Sequence, residues 1–333
     1  MKKIVIMIAC VMFLFLGVLG GSTLAASKME LSYGGTSSSS GTYAWCVAHA
    51  KAINDKTTKA HVTVMETGAS IENMRLLKRR DVDYGLASID VAVRAYTGVD
   101  EFKGAANPDA RLLWLYITAP HTVFVTAESG VTSIYELDGK NFGSGLTGSA
   151  TEALTTRLFK ANNIKPKWFR GATAASRDAT KNKQIIGYSK SGAPDSSVLD
   201  VAASTPIKVL PIPDEALKKA QEAYPGLFAR AYVPANAYRG QTEAVPTFPV
   251  IMYDVASTNL PQDVAYEMCK AVYGSVDELV AAYRGAAFPN SLTSGPKVAV
   301  EFAEIPLHAG MVQYCREAGI DVPRKLIPPE YKD

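Results

Sequence analysis

The sequence has 333 residues, with 35 lysines and arginines against 32 aspartates and glutamates and a formal net charge of +3. A balance this even excludes a nucleic-acid binder held by phosphate contacts. The length exceeds what one hydrophobic core comfortably fills and predicts two lobes.

At the start, Met1-Lys2-Lys3 precede an apolar run from Ile4 to Leu19 and small residues ending at Ala25-Ala26. A positive start, a short apolar stretch and a small-residue cleavage site make a secretory signal cleaved near Ala26, which predicts a periplasmic protein. Three cysteines follow it, Cys46, Cys269 and Cys315. In an oxidising compartment Cys269 and Cys315 are the plausible couple, and three buried thiols are the alternative. With no CxxC and four histidines in the chain, no structural zinc is expected.

Residues 30–33 read as a short strand running into a Gly, Ser and Thr segment that ends at Tyr43. A helix over 42–54 carries Trp45, Ala48 and Ala52 on one face, and a strand over 61–66, a helix over 70–80 and a strand over 84–87 follow. Strands alternating with helices at this spacing predict an α/β fold with a parallel sheet covered on both faces. Residues 111–118 and 121–127 read as two strands parted by Pro120, whose missing N–H argues against a place inside a sheet. The chain is expected to change lobes there.

The second lobe then holds a strand over 140–143, a helix over 149–161, a shorter helix over 174–183 and a strand over 185–189. After Pro234 the sequence is irregular, and a strand over 250–256 returns to the first lobe. Pro261 suits a helix start, and Ser275 with Glu278 forms a candidate capping box. The expected division is a signal over 1–26, lobe one over 27–120 plus 248–333, and lobe two over 121–247.

Two turns carry candidate chemistry. The segment from Gly34 to Tyr43 and the run Gly143-Ser144-Gly145-Leu146-Thr147-Gly148-Ser149 each join a strand to a helix. Exposed amides at a helix start carry partial positive charge, so such turns accept an anion without a basic side chain. The second turn contains GxGxxG, but no acid lies between Glu152 and Asp178, where a dinucleotide site needs one for the ribose. No cofactor is expected. A third wall is available from Ser191-Gly192-Ala193-Pro194.

Catalysis finds little support, because HExxH, GxSxG and GxxxxGK[ST] are all missing. His49, His61, His121 and His308 read as structural or exposed. Glu72 and Asp90 read as helix contacts or ion pairs with Arg75 or Arg94.

In order along the chain stand Gly41-Thr42-Tyr43, the run from Thr67 to Leu77, Asp83-Tyr84-Gly85-Leu86-Ala87 leading to Asp90, and Leu137-Asp138-Gly139-Lys140. Gly148-Ser149-Ala150-Thr151-Glu152, Gly192-Ala193-Pro194, Ile305-Pro306-Leu307-His308 and Glu317-Ala318-Gly319 follow. Together they resemble the TAXI solute receptors of tripartite ATP-independent periplasmic (TRAP) transporters.

The resemblance implies a type II periplasmic-binding-protein fold, two α/β lobes joined by crossing strands with a ligand cleft between them. It also implies a TRAP membrane permease as partner and a small organic anion as ligand, a carboxylate such as glutamate or 2-oxoglutarate. Where that family often carries Gln, this chain has Ser88. The expected ligand contacts are Ser39, Ser40, Thr42, Tyr43, Ser70, Asn73 and Ser88 from lobe one, and Thr147, Ser149, Ala150, Thr151, Ser191 and Gly192 from lobe two. The expected affinity is roughly micromolar, equivalent to about 8 kcal/mol. A sensor input module with the same fold, or an exported hydrolase, is the alternative.

Overall fold

A computed structural model describes residues 28–224 and 227–333, so the signal-peptide reading of residues 1–26 lies outside the described residues. The first lobe opens with strand and helix in alternation: β1 (Met29–Gly34), α1 (Tyr43–Lys56), β2 (Ala60–Met65), α2 (Ser70–Arg79), β3 (Tyr84–Ser88) and α3 (Ile89–Thr97). α2 buries Ser70, Asn73, Met74 and Leu77, the i, i+3, i+4, i+7 spacing of one helix face. Its first turn holds Glu72 and its last holds Lys78 and Arg79, charges that suit the helix dipole at each end.

β4 (Ala110–Thr126) is one strand of 17 residues, all but one of them buried. The two strands expected on either side of Pro120 are therefore a single one. Pro120 is tolerated because it sits at a seam: it faces Pro249, where pairing with β11 ends, and His121 begins the pairing with β7. A missing donor is harmless where the strand changes partners.

The second lobe contains β5 (Asn141–Leu146), α4 (Ala150–Ala161), β6 (Lys167–Gly171), α5 (Thr173–Lys181), β7 (Gly187–Ser191), α6 (Ser196–Ser204), β8 (Ile207–Val209) and α7 (Asp214–Ala223). A two-stranded ribbon, β9 (Ala231–Val233) and β10 (Val245–Thr247), leads to β11 (Pro249–Ser257). The helices α8 (Gln262–Tyr273), α9 (Val276–Ala282), α10 (Pro296–Glu301) and α11 (Ala309–Glu317) then pack on lobe one.

The strand order is β2-β1-β3-β11-β4-β7-β5-β6, with β8 also on β4. β1 runs parallel to β2 and β3, and β5 runs parallel to β6 and β7, whereas β11 and β7 are antiparallel to β4. β4 thus belongs to both sheets, and the segment from Thr247 to Pro249 crosses beside it. This is the two-lobed α/β periplasmic-binding fold.

Other expectations change in detail. Ser275 does cap α9 in position, but its hydroxyl donates to the Ala271 carbonyl at 2.7 Å, so no capping box forms. Cys46, Cys269 and Cys315 are free, buried thiols, and Cys269 Sγ lies 3.7 Å from Met311 Sδ. Among the described residues no helix is long and apolar enough to cross a membrane.

Candidate functional site

Parallel strands direct their carboxyl ends, and the helix starts that follow, toward one edge of a sheet, which is where open α/β sheets bind ligands. Here the two lobes turn those edges toward each other around a cavity of about 50 Å³. One water needs roughly 10–15 Å³ on that measure, so the space suits a handful of non-hydrogen atoms. Thr36, Ser40 and Thr42 line it from the loop after β1, and Ala69 and Ser70 from the start of α2. Ser149, Ala150 and Thr151 approach from α4, and Lys190 and Ser191 from β7. Tyr116, Met252 and Tyr283, with Leu86, Ile117 and Ala119, complete the lobe-one wall.

The lining is rich in hydroxyls and holds one cation. Lys190 is 8% exposed, and its Nζ donates to Ser40 Oγ across the cleft at 2.9 Å. Asp195 Oδ2 stands 3.8 Å from that ammonium. Thr151 Oγ1 and Ser191 Oγ are 2.7 Å apart, and Thr42 Oγ1 is 3.5 Å from the Tyr283 hydroxyl. The Tyr116 hydroxyl is buried with no hydrogen-bond partner. Burial pushes both tyrosine hydroxyls to higher pKa, so each stays a neutral donor.

The turns at Gly148 and Gly68 each already hold a carboxylate from the helix that follows. Glu152 accepts from the Gly148 amide at 2.8 Å while Ser149 caps α4 by accepting from the Glu152 amide. Glu72 takes the Gly68 amide in the same way. In the first serine-rich loop the amides of Ser40 and Tyr43 bond to Ser37 and Ser40 carbonyls, and the Ser38 amide bonds to Glu66. The main-chain donors left for a guest include those of Ala150 and Thr151, the first two residues of α4, which have no acceptor within their helix.

The expected contact residues therefore divide. Ser40, Thr42, Ser70, Ser149, Ala150, Thr151 and Ser191 meet at the cavity. Asn73 does not: its amide donates to the Gly34, Gly35 and Leu86 carbonyls and its oxygen accepts from Thr67, so it ties three loops together. Ser39 bonds to Ser37, Tyr43 packs against the core, and Thr147 is exposed. Gly192 donates to the Pro120 carbonyl, and Ser88 donates its amide to Ser70 Oγ from beneath the wall.

Sequence reasoning passed over Lys190, Tyr116 and Tyr283. Lys190 had a signal, since it is the one charge in the strand Gly187–Ser191. The two tyrosines had none, because Tyr283 reaches Thr42 across 241 positions of chain.

The cleft is shut by contacts between lobes. The Ile71 amide donates to the Gly148 carbonyl at 3.0 Å. Arg157 of α4 lies 3.2 Å from Asp100 and 3.4 Å from Glu101, and Glu101 also pairs with Arg94 at 2.9 Å. Arg94 in turn holds Asp90 at 2.8 Å, the ion pair expected for that acid.

The histidines lie elsewhere. His49 sits between the Trp45 carbonyl and the Tyr84 hydroxyl, and burial lowers its pKa to about 4. Burial likewise lowers His121, bonded to Thr155, to about 3 and His308, which caps α11, to about 4. His61 faces Glu30 at the surface. Among the described residues no serine hydroxyl bonds to a histidine ring, and no cluster of His, Cys, Asp and Glu is arranged to hold a metal ion.

A family model described as "NMT1-like family" matches residues 35–319. Among solved structures, the periplasmic binding protein BugD superposes with a TM-score of 0.54 at 12% identity, over 88% of this chain and 99% of that one. The alkanesulfonate-binding protein SsuA from Xanthomonas axonopodis pv. citri, bound to MOPS, gives 0.47 at 15% identity over 79% and 85%. A TRAP periplasmic solute binding protein from Sulfitobacter sp. NAS-14.1, with bound beta-D-galacturonate, gives 0.46 at 11% identity over 87% and 94%. At such identities the likeness is one of fold.

Proposed function

Because this chain belongs to the NMT1-like family, we propose that it is an extracytoplasmic solute receptor that closes its two lobes over a small organic anion. The observation that carries this reading is the interlobe cavity lined by hydroxyls, helix-start amides and the buried Lys190 ammonium. A shut cleft excludes bulk water, so each of these donors acts at low dielectric and holds an anion more strongly than it would at a surface. The guest touches both lobes and so stabilises the closed form over the open one, which is how a hinge-closing receptor reports occupancy.

In this reading the anion is a carboxylate and the closed receptor hands it to a TRAP-type permease, as the TAXI resemblance implies. The signal at residues 1–26 would place the receptor in the periplasm. The lobes are residues 27–120 with 248–333 and residues 121–247. The chain's own residues bind and orient, and no step of bond making is assigned to them.

A thermal-shift panel of small carboxylates, sulfonates and amino acids tests the reading. A ligand that binds only the folded state adds about 2.7 kcal/mol of stability at a hundred times its Kd. At least one anion is expected to raise the melting temperature, and a flat response across the panel overturns the receptor reading. Uptake of that anion in cells carrying the receptor with a TRAP permease, compared with the permease alone, tests the partner.

A further inference from the structure

We propose that Lys190 fixes the ligand class as a short monocarboxylate without an ammonium group, an inference that rests on the receptor reading above. Three independent features of the cavity lead there.

The first is charge. An ammonium has three N–H donors, and Ser40 takes one from Lys190 at 2.9 Å. Asp195 is a distant companion at 3.8 Å, and its other oxygen is engaged by the Ser197 amide at 2.9 Å. A buried cation so lightly paired is satisfied when a carboxylate arrives. Among the described residues no second cation lines the cavity, so a second carboxylate on the guest would be buried without a cation.

The second is that no acid lines the cavity among the described residues. A guest's ammonium group would meet Lys190 and the positive end of α4 with no carboxylate on the cavity wall to accept its protons, and Asp195 lies behind Lys190 at 3.8 Å. Glycine, alanine and glutamate are disfavoured on that ground, in contrast to what the TAXI resemblance implies.

The third is size with an orphan donor. The cavity measures about 50 Å³, Tyr116 is among the residues that line it, and the buried Tyr116 hydroxyl has no partner. A carboxylate oxygen, or a keto or hydroxyl oxygen beside it, supplies the missing acceptor.

Calorimetry on the full chain, titrated with acetate, propionate, pyruvate, glycine, L-glutamate and 2-oxoglutarate, tests the proposal. At least one of the three monocarboxylates is expected to bind, with glycine, glutamate and 2-oxoglutarate at least about 100-fold weaker. Lys190→Met is expected to lose about 100-fold in monocarboxylate affinity, and because it also leaves the buried Asp195 carboxylate without its cation, affinity is read on the fraction that a thermal melt shows to be folded. Tyr116→Phe is expected to lose about 10-fold in affinity and keep its ligand-free stability, the opposite of a structural role. Monocarboxylate affinity of Lys190→Met within about threefold of the parent overturns the proposal, as does preference for glutamate or 2-oxoglutarate. Either result leaves the receptor reading standing, whereas silence toward every anion defeats both.

Discussion

Two buried charges in this protein stand in opposite circumstances. Asp254 on β11 is fully enclosed and receives three neutral donors: the Tyr33 hydroxyl at 2.6 Å, Trp114 Nε1 at 2.6 Å and Trp45 Nε1 at 3.3 Å. Stacked and edge-on rings close around it, Trp45 lying flat on Tyr116 at 4.7 Å and Tyr33 against Tyr84 at 4.6 Å. Lys190, by contrast, lies at a cavity with one hydroxyl in bonding range and a carboxylate beyond it. The first charge is saturated by its own fold, and the second is left for a guest. What marks a binding residue is an incomplete set of partners facing open space, since burial and charge are common to both.

The comparison is sharpened most by pH. Burial raises the Asp254 pKa to about 7, so between about pH 4 and 7 the folded chain keeps a proton that the unfolded chain has lost, and stability falls as pH rises. His49, His121 and His308, held at about 4, 3 and 4, act the other way. The unfolded chain protonates them near pH 6.5, so their contribution is lost as pH falls. Three histidines against one carboxyl leave a net loss on acidification from pH 6.5 to 4.5, worth on the order of two protons, or about 3 kcal/mol per pH unit. Asp254→Asn removes the opposing carboxyl and is expected to steepen the slope toward about three protons. Urea midpoints at pH 4.5, 5.5 and 6.5 read both slopes, and a parent stability that rises on acidification contradicts the assignment.

Emptying the saturated site is the next largest effect. Asp254→Ala strands three buried donors and is expected to lose about 3–5 kcal/mol in urea unfolding at neutral pH, while Asn retains an acceptor and loses less. A loss below about 1 kcal/mol would mean that water or a neighbour replaces the carboxylate.

On the open site, Ser149→Asp keeps an N-cap of equal quality for α4 but sets a negative charge at the cavity wall. Anion affinity is expected to drop about 10- to 100-fold in calorimetry, with the melting temperature little changed; unchanged affinity removes Ser149 from the site. Arg157→Ala breaks the cross-lobe pairs with Asp100 and Glu101, and it is expected to weaken binding about fivefold by favouring the open form.

The smallest effect concerns Ala69, held on the cavity wall at φ 69° and ψ −146°, a region that glycine enters freely. Ala69→Gly is expected to raise ligand-free stability by up to about 1 kcal/mol, which thermal melts resolve.

Much of this was legible in the chain because it is local. The alternation of β1 through α3 follows from spacing, and Ser149 declares its helix start by residue type and by the Glu152 three places on. Pro120 misled because its effect depends on where a strand changes partners, which tertiary pairing alone decides. β6 and α6 were passed over, as their short segments carry weak periodicity, whereas α7 was missed although Ala216, Leu217 and Ala220 mark an apolar helix face. At the site, Thr42, Ser149 and Thr151 stood out as hydroxyls beside glycine. Asn73 stood in the same pattern but spends every polar atom on neighbouring loops. Tyr116 and Tyr283 reach the cavity from β4 and from the end of α9, a juxtaposition that no local pattern records.

The most direct test is the crystal structure of the complex with whichever anion stabilises the fold most. The account predicts the guest between the lobes, with a carboxylate oxygen about 2.7–2.9 Å from Lys190 Nζ and contacts from both Tyr116 and the start of α4. An anion seated on the outer surface, or touching one lobe alone, would contradict it.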